Sequence, residues 1–251
     1  MTRGAALLAC LALTGAALAG CGEEKRPEDD RPASSRAFPR ADRPVSAVGS
    51  NAFSTEVQRD KVNEAKTVMD LARIEAGTTV ADIGAGEGYY TVRLAERVGS
   101  EGRVLAQDID RAALERLGTR VERDRLDNVS IKLGAPDDPK LPNASFDRIF
   151  LVHMYHEVEE PYAFLWRLRP ALQPGGKVIV VDLDRQTDEH GIPPALLFCE
   201  FNALGFRLGQ FIRKPELQGY YAEFEAAGPR PEPDAIAPCR QAGKATERPK
   251  R

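Results

Sequence analysis

Residues 80–90 read VADIGAGEGYY, in which an apolar run reaches Asp82 and then continues through three glycines at alternate positions. Gly84, Gly86 and Gly88 have no side chains, so the backbone can turn tightly there and can lie close to a ligand. An apolar pattern with helical spacing follows, so the stretch predicts a strand, a bare turn and a helix. The first N–H groups of a helix have no partner within it, and they suit an anionic group.

The composition is that of an ordinary globular protein. Of 251 residues, 42% are hydrophobic and 29% are charged, which is enough for one medium-sized domain with polar ends. The formal net charge is −3 at pH 7. Because nucleic-acid binding needs a basic stripe that contacts phosphates, we expect no nucleic-acid partner.

Strand and helix patterns alternate between the two polar ends. Seven strands are predicted, at 80–83, 103–106, 129–133, 146–152, 177–182, 206–212 and 220–224. Five helices are predicted, at 58–75, 90–98, 112–125, 161–172 and 194–204. Apolar strands separated by helices indicate a mostly parallel sheet that is covered on both faces. We therefore expect a doubly wound, Rossmann-like α/β fold: a three-layer α/β/α sandwich whose seven-stranded sheet has one antiparallel strand.

Residues 1–21 read as a targeting segment. One basic residue is followed by an apolar stretch, rich in Ala and Gly, that is short for a membrane span. The stretch ends in LAGC at residues 18–21, which resembles the lipobox of bacterial lipoproteins. The resemblance implies that Cys21 carries a lipid and holds the protein on a membrane of the cell envelope, facing the periplasm; Gly22 favours the outer membrane. Ordinary secretory cleavage after Ala19 and an uncleaved anchor are the alternatives.

Polar, proline-rich sequence flanks the predicted domain on both sides. Residues 22–49 hold mixed charges and few large apolar side chains, so they predict a disordered tether. Residues 229–251 predict a loose polar tail with Cys239 exposed. The folded domain is expected at 50–228, with Cys199 in its core. We expect no disulfide framework from the four cysteines.

The spacing of the glycines separates two kinds of nucleotide site. A dinucleotide fingerprint would have its third glycine where this chain has Tyr89, so a nicotinamide-dependent oxidoreductase is disfavoured. An acid followed by alternate glycines, VADIGAGEG, instead resembles motif I of class I S-adenosylmethionine-dependent methyltransferases. Asp108 ends the second predicted strand. The SFD at 145–147 and the PGG at 174–176 resemble the fourth and fifth strands of the quinone-biosynthesis C-methyltransferase branch. The resemblance covers about residues 60–225.

The resemblance implies S-adenosyl-L-methionine as the cofactor and gives each motif residue a role. The implied contacts are, for the methionine part, Asp82, Gly84, Ala85, Gly86 and Gly88; for the ribose, Asp108; and for the adenine, Ile109, Ala135, Pro136 and Asp137. Many relatives carry an acid where this chain has Ala135, so Asp137 is the acid expected to reach the adenine amino group. Structural explanations stand beside these roles: turn glycines, a helix cap at Asp82 and a solvated carboxylate at Asp108.

The end of the fourth predicted strand carries HMYHE at 153–157. Methyl transfer needs a general base only where the acceptor loses a proton. Because the ordinary pKa of histidine lies near neutrality, His153 and His156 are the catalytic candidates. The alternative for His156 is a structural role in orienting the following loop. We expect His190 to be solvated, Asp182 to cap the next loop or border the acceptor pocket, and no metal ion to be bound.

Together these patterns favour a methyltransferase that acts on a small-molecule or lipid-associated acceptor at the cell envelope. The cofactor of such enzymes is made in the cytosol, whereas the lipobox would direct the domain outside. The alternative is therefore a non-catalytic, lipid-anchored binding protein of the envelope that retains the fold.

Overall fold

The structure is a computed structural model that describes residues 29–47 and 55–241. Contacts divide the chain into two units, and the second, Arg31–Arg251, contains every helix and strand named below. The predicted signal segment at 1–21, with Cys21, and the first part of the predicted tether lie outside the described residues. None of the helices in the described ranges combines the length and the apolarity that spanning a bilayer requires.

A seven-stranded sheet forms the centre of the domain. Its strands are β1 (Thr79–Ile83), β2 (Arg103–Asp108), β3 (Val129–Leu133), β4 (Phe146–Val152), β5 (Leu172–Leu183), β6 (Phe206–Lys214) and β7 (Gly219–Ala226). Their spatial order is β3-β2-β1-β4-β5-β7-β6. The first five pair in parallel, and β7 is antiparallel to both β5 and β6. This order confirms the predicted doubly wound fold with one antiparallel strand.

Six α-helices connect or flank the strands in the described part of the chain. They are α1 (Glu56–Lys61), α2 (Glu64–Leu71), α3 (Tyr89–Val98), α4 (Arg111–Arg123), α5 (Pro161–Leu168) and α6 (Pro194–Ala203). The predicted helix at 58–75 is in fact two helices, because Asn63 adopts a left-handed conformation, with φ of 52°, between them. Asn tolerates this conformation better than most residues. Thr55 and Gln58 form a capping box at the start of α1.

The connection from α5 to β5 differs from the prediction in two places. The predicted helix at 161–172 ends at Leu168, because Pro170 has no N–H with which to continue the helical hydrogen bonds. Residues 173–176, which separate the predicted helix at 161–172 from the predicted strand at 177–182, lie inside β5 and form a bulge there. The pairing register with β4 shifts there, and Gly175 takes a positive φ of 79°.

Apolar side chains cover both faces of the sheet. In β5, Val178 and Val180 belong to one buried cluster, whereas Ile179 and Val181 belong to another. This alternation is typical of a strand that is buried on both faces. Residues of α5 and α6 pack in the first cluster and residues of α2 and α3 in the second, which gives the three predicted layers.

The N-terminal segment, defined here as residues 31–47, is packed on the domain. This corrects the predicted tether at 22–49 over that stretch. Phe38 is 6% exposed, and the side chain of Arg43 is fully buried in an ion pair with Glu200. The composition of the segment misled the prediction because its polar side chains bond to buried groups of the domain instead of to water.

The C-terminal segment, defined here as residues 229–241, is also held on the domain, which corrects the predicted loose tail over that stretch. Cys239 is 4% exposed and forms a disulfide with Cys199, which is exposed on α6. The predictions that Cys239 is exposed and that Cys199 lies in the core are therefore wrong. Two cysteines 40 residues apart give no local signal of their pairing. The N–H of Gln241 donates to the carbonyl of Asp42 at 3.2 Å, so the two terminal segments contact each other.

Candidate active site

The glycine loop connects the end of β1 to the start of α3. Gly84, Gly86 and Gly88 have φ of 68°, 55° and 89°, values that glycine adopts readily and other residues rarely do. A side chain at Gly86 would meet no heavy atom within 4 Å, so this part of the loop faces open space. A side chain at Gly88 would come within 2.4 Å of Leu117, so packing requires that glycine. The loop lies at the carboxyl edge where strand order reverses between β1 and β4, which is where open α/β sheets bind ligands.

Asp82 lies in β1 just before this loop and is buried. Its carboxylate accepts a hydrogen bond from the hydroxyl of Thr91 at 2.6 Å. Burial raises the pKa of Asp82 to about 6; the Thr91 bond and the charge of Arg59 act against this rise, and Asp108 adds to it. A cationic group bound beside this carboxylate would favour its ionised form.

Asp108 links the end of β2 to the glycine loop. One carboxylate oxygen accepts the N–H of Gly86 at 2.8 Å, and the other accepts the N–H of Asp110 at 2.9 Å. A carboxylate has lone pairs for about four hydrogen bonds, so two of these sites stay available for ligand hydroxyls. Ile109 follows and is 39% exposed, which is unusual for a large apolar side chain. The structure thus bonds Asp108, the predicted ribose residue, to the loop, and Ile109 follows it in sequence.

The N–H of Ala85 also donates toward β2, to the carbonyl of Gln107 at 3.0 Å. The side chain of Gln107 in turn occupies the space beside Gly134, where a Cβ would lie 1.7 Å from its amide nitrogen. The loop after β1 and the turn after β3 are therefore both fitted to β2, which lies between them. Local packing of this kind fixes the carboxyl edge of the first three strands.

The turn after β3 holds the last three predicted cofactor residues. Ala135 is half-buried and Pro136 is exposed, whereas Asp137 is buried. The carboxylate of Asp137 accepts three hydrogen bonds of 2.5 to 2.8 Å, from Ser34, Ser35 and Arg167. Burial raises the pKa of Asp137, but these three contacts outweigh it and lower the pKa below its ordinary value. Asp137 is thus held by the N-terminal segment and by α5, which differs from the predicted contact with the adenine.

A buried polar cluster joins α1 and α2 to the start of α3 and the end of β4. The carboxylate of Glu64 accepts hydrogen bonds from Arg59 and, at 3.1 Å, from the hydroxyl of Tyr90. Nε2 of His153 lies 3.4 Å from the same carboxylate. Burial raises the pKa of Glu64, but the contacts with His153 and Arg59 outweigh it and hold the pKa at about 2. We call these four residues the Glu64 cluster.

Arg59 brings a positive charge to the helix that follows the glycine loop. Its guanidinium carbon lies 3.8 Å from the ring centroid of Tyr89 and 5.2 Å from that of Tyr90, so it makes cation–π contacts. Sequence reasoning missed Arg59 and Glu64, because it treated their stretch as one helix with an apolar face. The available signal was Asn63, a residue that permits a break in the middle of that stretch.

The residues after β4 reach the glycine loop. His153 has a positive φ of 54°, and its N–H donates to the carbonyl of Val181 at 2.8 Å. Met154 contacts the loop: a side chain at Gly84 would lie 2.9 Å from its Cγ. The predicted candidate His153 is therefore adjacent in sequence to a residue that packs on the loop.

His156 forms a second histidine–carboxylate pair. Its Nδ1 lies 3.0 and 2.9 Å from the two carboxylate oxygens of Asp182 in β5, and both side chains are fully buried. The N–H of Leu183 donates to Asp182 at 2.8 Å. Asp182 therefore orients the ring of His156, a role that the sequence did not indicate. The ring of His190 lies edge-on to that of His156, with 5.8 Å between centroids, and is half-buried instead of fully solvated.

Known proteins match the part of the chain that carries the glycine loop. Residues 80–176 match the family profile described as "Methyltransferase domain". The ubiquinone/menaquinone biosynthesis C-methyltransferase UbiE of Bordetella avium is 30% identical over 170 residues, which cover 66% of this chain and 63% of that protein. The demethylmenaquinone methyltransferase of Listeria welshimeri is 28% identical over 128 residues, 51% of this chain and 52% of that protein. The chain thus spans between half and two thirds of these curated relatives.

Solved structures share the fold. A SAM dependent methyltransferase from Aquifex aeolicus is 23% identical, with a TM-score of 0.58 over 66% of this chain and 90% of that chain. The [4+2]-cyclase SpnF is 14% identical, with a TM-score of 0.59 over 78% of this chain and 91% of that chain. At these identities the likeness concerns the fold alone. Residues 80–176 are thus similar to a methyltransferase domain, and they lie within a doubly wound α/β fold.

Proposed function

We propose that the protein transfers a methyl group from S-adenosyl-L-methionine to a small-molecule or lipid-associated acceptor. The observation that carries the proposal is the glycine loop, which faces open space at Gly86 and bonds there to Asp108. The loop lies at the ligand-binding edge of the sheet, within the residues that match a methyltransferase domain. The names of the relatives, which concern quinone biosynthesis, support a small or lipid-associated acceptor.

The residues at this edge suit the parts of that cofactor. The open backbone of the loop and Asp82 would hold the amino-acid end, since a buried carboxylate attracts an ammonium group. Asp108 has acceptor sites for the ribose hydroxyls, and the exposed side chain of Ile109 offers an apolar surface to the adenine. A Cβ at Gly86 would occupy the space that the loop leaves open.

Positioning and the exclusion of water are the main tasks of the protein in this reaction. When bound, S-adenosylmethionine supplies a methyl group on a positively charged sulfur, and the thioether that remains is neutral. Little new charge therefore has to be stabilised, and a well-oriented, dry site can provide most of the acceleration. Met154, which packs against Gly84, is placed to shield the loop from water.

Where the acceptor loses a proton, we assign the general base to His153. Its Nε2 faces the carboxylate of Glu64, which orients the ring and leaves Nδ1 as the nitrogen that accepts the proton. Glu64 stays ionised, because its pKa is held at about 2, and it would stabilise the imidazolium that forms. His156, the other candidate, is fully buried and held by Asp182, which favours His153 for this role.

Transfer of a labelled methyl group tests the proposal. The purified full chain is incubated with methyl-labelled cofactor and a lipid and small-molecule extract of a bacterial envelope, and label is counted in the organic phase. We expect time-dependent incorporation that is lost in Asp108→Ala and kept in Asp110→Asn, whose carboxamide can still cap α4. Cofactor binding without any methyl transfer would favour the alternative function, a non-catalytic binding protein that retains the fold.

We also propose that the protein is a lipoprotein of the cell envelope, facing the periplasm from the outer membrane through a lipid on Cys21. The LAGC pattern at 18–21 supports this. The disulfide between Cys199 and Cys239 supports it independently, because disulfides persist in oxidising compartments. Labelled palmitate should enter the protein in cells, remain in Cys10→Ser and be absent from Cys21→Ser. Label that persists in Cys21→Ser would show that the lipid is not attached at Cys21.

A further inference from the structure

Three metal-ligating side chains meet on the turns that follow β4 and β5. His156, Glu157 and His190 each offer one donor atom, and these atoms all lie within 4.8 Å of one another. His156 is fully buried, whereas the other two are half-buried. The group is separate from the glycine loop and from the Glu64 cluster, which contains the third histidine of the chain.

The carboxylate of Asp182 determines which nitrogen of His156 points into this group. Nδ1 lies about 3 Å from Asp182, so Nε2 is the atom that faces Glu157, at 3.9 Å. A histidine that binds a metal through one nitrogen almost always bonds through the other to a carboxylate or a carbonyl, which fixes the ring. The pair of His156 with Asp182 has this arrangement, and both residues are shielded from solvent.

The N-terminal segment holds both of the turns that carry the three residues. The buried guanidinium of Arg43 donates to the carbonyls of His156 at 3.2 Å and Val158 at 2.9 Å. The hydroxyl of Ser46 accepts the N–H of His190 at 3.0 Å and donates to the carbonyl of Thr187 at 2.5 Å. The backbone on each side of the group is therefore tied to the same stretch of chain, as a preorganised site requires.

We propose that Nε2 of His156, the carboxylate of Glu157 and a ring nitrogen of His190 bind a divalent transition-metal ion, with zinc as the ion they suit best. Two imidazoles and one carboxylate form a donor set that zinc accepts, with a fourth position left for water or another ligand. Magnesium and calcium prefer oxygen donors alone, so two histidines select against them. Asp182 is a positioning residue for the ion, since it acts through His156.

The distances between the donor atoms predict that the three side chains move closer together when zinc binds. Ligand atoms around tetrahedral zinc lie about 3.4 Å apart, given metal–ligand bonds of about 2.0–2.1 Å. From a separation of up to 4.8 Å, the half-buried Glu157 and His190 would move inward while the fully buried His156 stays in place. Zinc would then join the turn after β4 to the turn after β5 and stabilise the domain by binding only to its folded form.

Calorimetric titration with zinc tests this site in the full chain, after treatment with a chelator and dialysis. We expect one zinc ion per chain and an affinity that falls at least about tenfold in His190→Gln and in Glu157→Gln, because each loses one of three protein ligands. Asp182→Asn should weaken binding by about 10–100-fold through the orientation of His156. His153→Gln is the matched control, and its zinc affinity should equal that of the wild type.

A melting curve with and without zinc gives a second measurement. Zinc should raise the melting temperature of the wild type and of His153→Gln, and should not raise that of His190→Gln. Because His190 is only half-buried, we expect His190→Gln to fold. It therefore tests the zinc site even if substitution of the fully buried His156 prevents folding. Equal zinc affinity in the wild type and His190→Gln would overturn the proposal, and so would the absence of binding at about 0.1 mM zinc, which means a dissociation constant weaker than about 0.1 mM. Both outcomes leave the methyltransferase proposal unaffected, since the glycine loop is not involved.

Discussion

The carboxyl edge of the sheet has two halves that are held in different ways. At the ends of β1 and β2, the contacts are local: Asp82 bonds to a residue 9 positions away, and Asp108 bonds to a loop 22 positions away. At the ends of β4 and β5, Arg43 and Ser46 bond to turns that are 113 and 144 positions away. The Cys199–Cys239 disulfide fastens the C-terminal segment to α6.

The local contacts at the ends of β1 and β2 are of a kind that many nucleotide-binding sites use, whereas the remote contacts at the ends of β4 and β5 are particular to this chain. A nucleotide-type ligand can be held by a bare loop and one or two carboxylates, and a few neighbouring residues supply all of these. The turns after β4 and β5, by contrast, are held by residues from both ends of the chain: Arg43 and Ser46 on one side and Gln241 on the other. We therefore expect substitutions in the terminal segments to disturb the second half and to spare the first.

The largest expected effect comes from Arg43→Met. Its guanidinium is buried against Glu200 and donates to the backbone carbonyls of His156 and Val158, so its loss leaves a buried carboxylate uncompensated. Such a change destabilises a protein by about 3–5 kcal/mol. Urea unfolding measures it, and hydrogen exchange should rise at residues 153–158 well before it rises at the glycine loop.

Arg40→Met provides the control, because Arg40 belongs to the same segment and is exposed. Its effect should stay within about 1 kcal/mol, the upper range for an exposed, solvent-screened charge interaction. If exchange at the glycine loop and at residues 153–158 rose together in Arg43→Met, the two halves would be one cooperative unit and the comparison would not hold.

Removing the disulfide should have the next largest effect. The bond joins cysteines 40 positions apart, and Cys199→Ala/Cys239→Ala should lower the free energy of unfolding by about 2–4 kcal/mol. Denaturation of the oxidised wild type, the reduced wild type and the double variant measures it. The reduced wild type and the variant should agree; an unchanged midpoint on reduction would show that the C-terminal segment adds nothing to stability.

A pH-dependent effect distinguishes the first half of the edge. Burial raises the pKa of Asp82 to about 6, so ionisation of this group opposes folding. Its contribution to the free energy of unfolding is most favourable below about pH 4 and falls by about 2–3 kcal/mol as pH rises to about 6. Asp82→Asn should abolish this decline, which unfolding of both proteins at pH 4, 5, 6 and 7 would measure. Parallel curves for the two proteins would contradict the raised pKa.

The pKa of Glu64 is shifted in the opposite direction to that of Asp82, and its effect on stability falls in a more acidic pH range. Its pKa is held at about 2, below the ordinary value of 4.5, so it stabilises the fold above about pH 4.5 and loses that contribution as pH falls toward 2. Glu64→Gln should therefore reduce the loss of stability between pH 4.5 and 2 while leaving the dependence between pH 4 and 6 in place. Acid titrations followed by circular dichroism separate the two groups.

The smallest effect concerns affinity and not stability. Asp108→Ala should weaken binding of S-adenosylhomocysteine by about 1.5–3 kcal/mol, the range for hydrogen bonds to a charged group. Asp110→Asn serves as the control, since Asp110 is exposed and caps α4. Equal affinity in the wild type and Asp108→Ala would remove Asp108 from the ligand site.

The sequence was sufficient for the architecture and for the first half of the edge. Apolar runs and helical spacings predicted the seven strands, because both patterns arise from neighbouring residues. The acid and the glycines of the loop stand within seven residues, 82–88, and the structure places them as predicted at the end of β1.

The rest was out of reach because its partners are remote. No local pattern shows that Arg43 forms an ion pair with Glu200 or that Cys199 pairs with Cys239. Nor does any show that Ser34 and Ser35 donate hydrogen bonds to Asp137. Polar composition alone predicted a tether and a loose tail, since it cannot register hydrogen bonds to buried groups. The pairing of His156 with Asp182 also needs the sheet, because the parallel pairing of β4 with β5 is what brings the ends of the two strands together.

Calorimetric titration of the full chain with S-adenosylmethionine tests the central claim most directly, because the claim is that the open glycine loop and Asp108 bind this molecule. We predict one site per chain with a dissociation constant below about 1 mM, in the range of ordinary enzyme substrates. The same ligand should raise the melting temperature of the protein. Neither heat of binding nor a thermal shift at millimolar ligand, with a protein that circular dichroism shows to be folded, would contradict the claim.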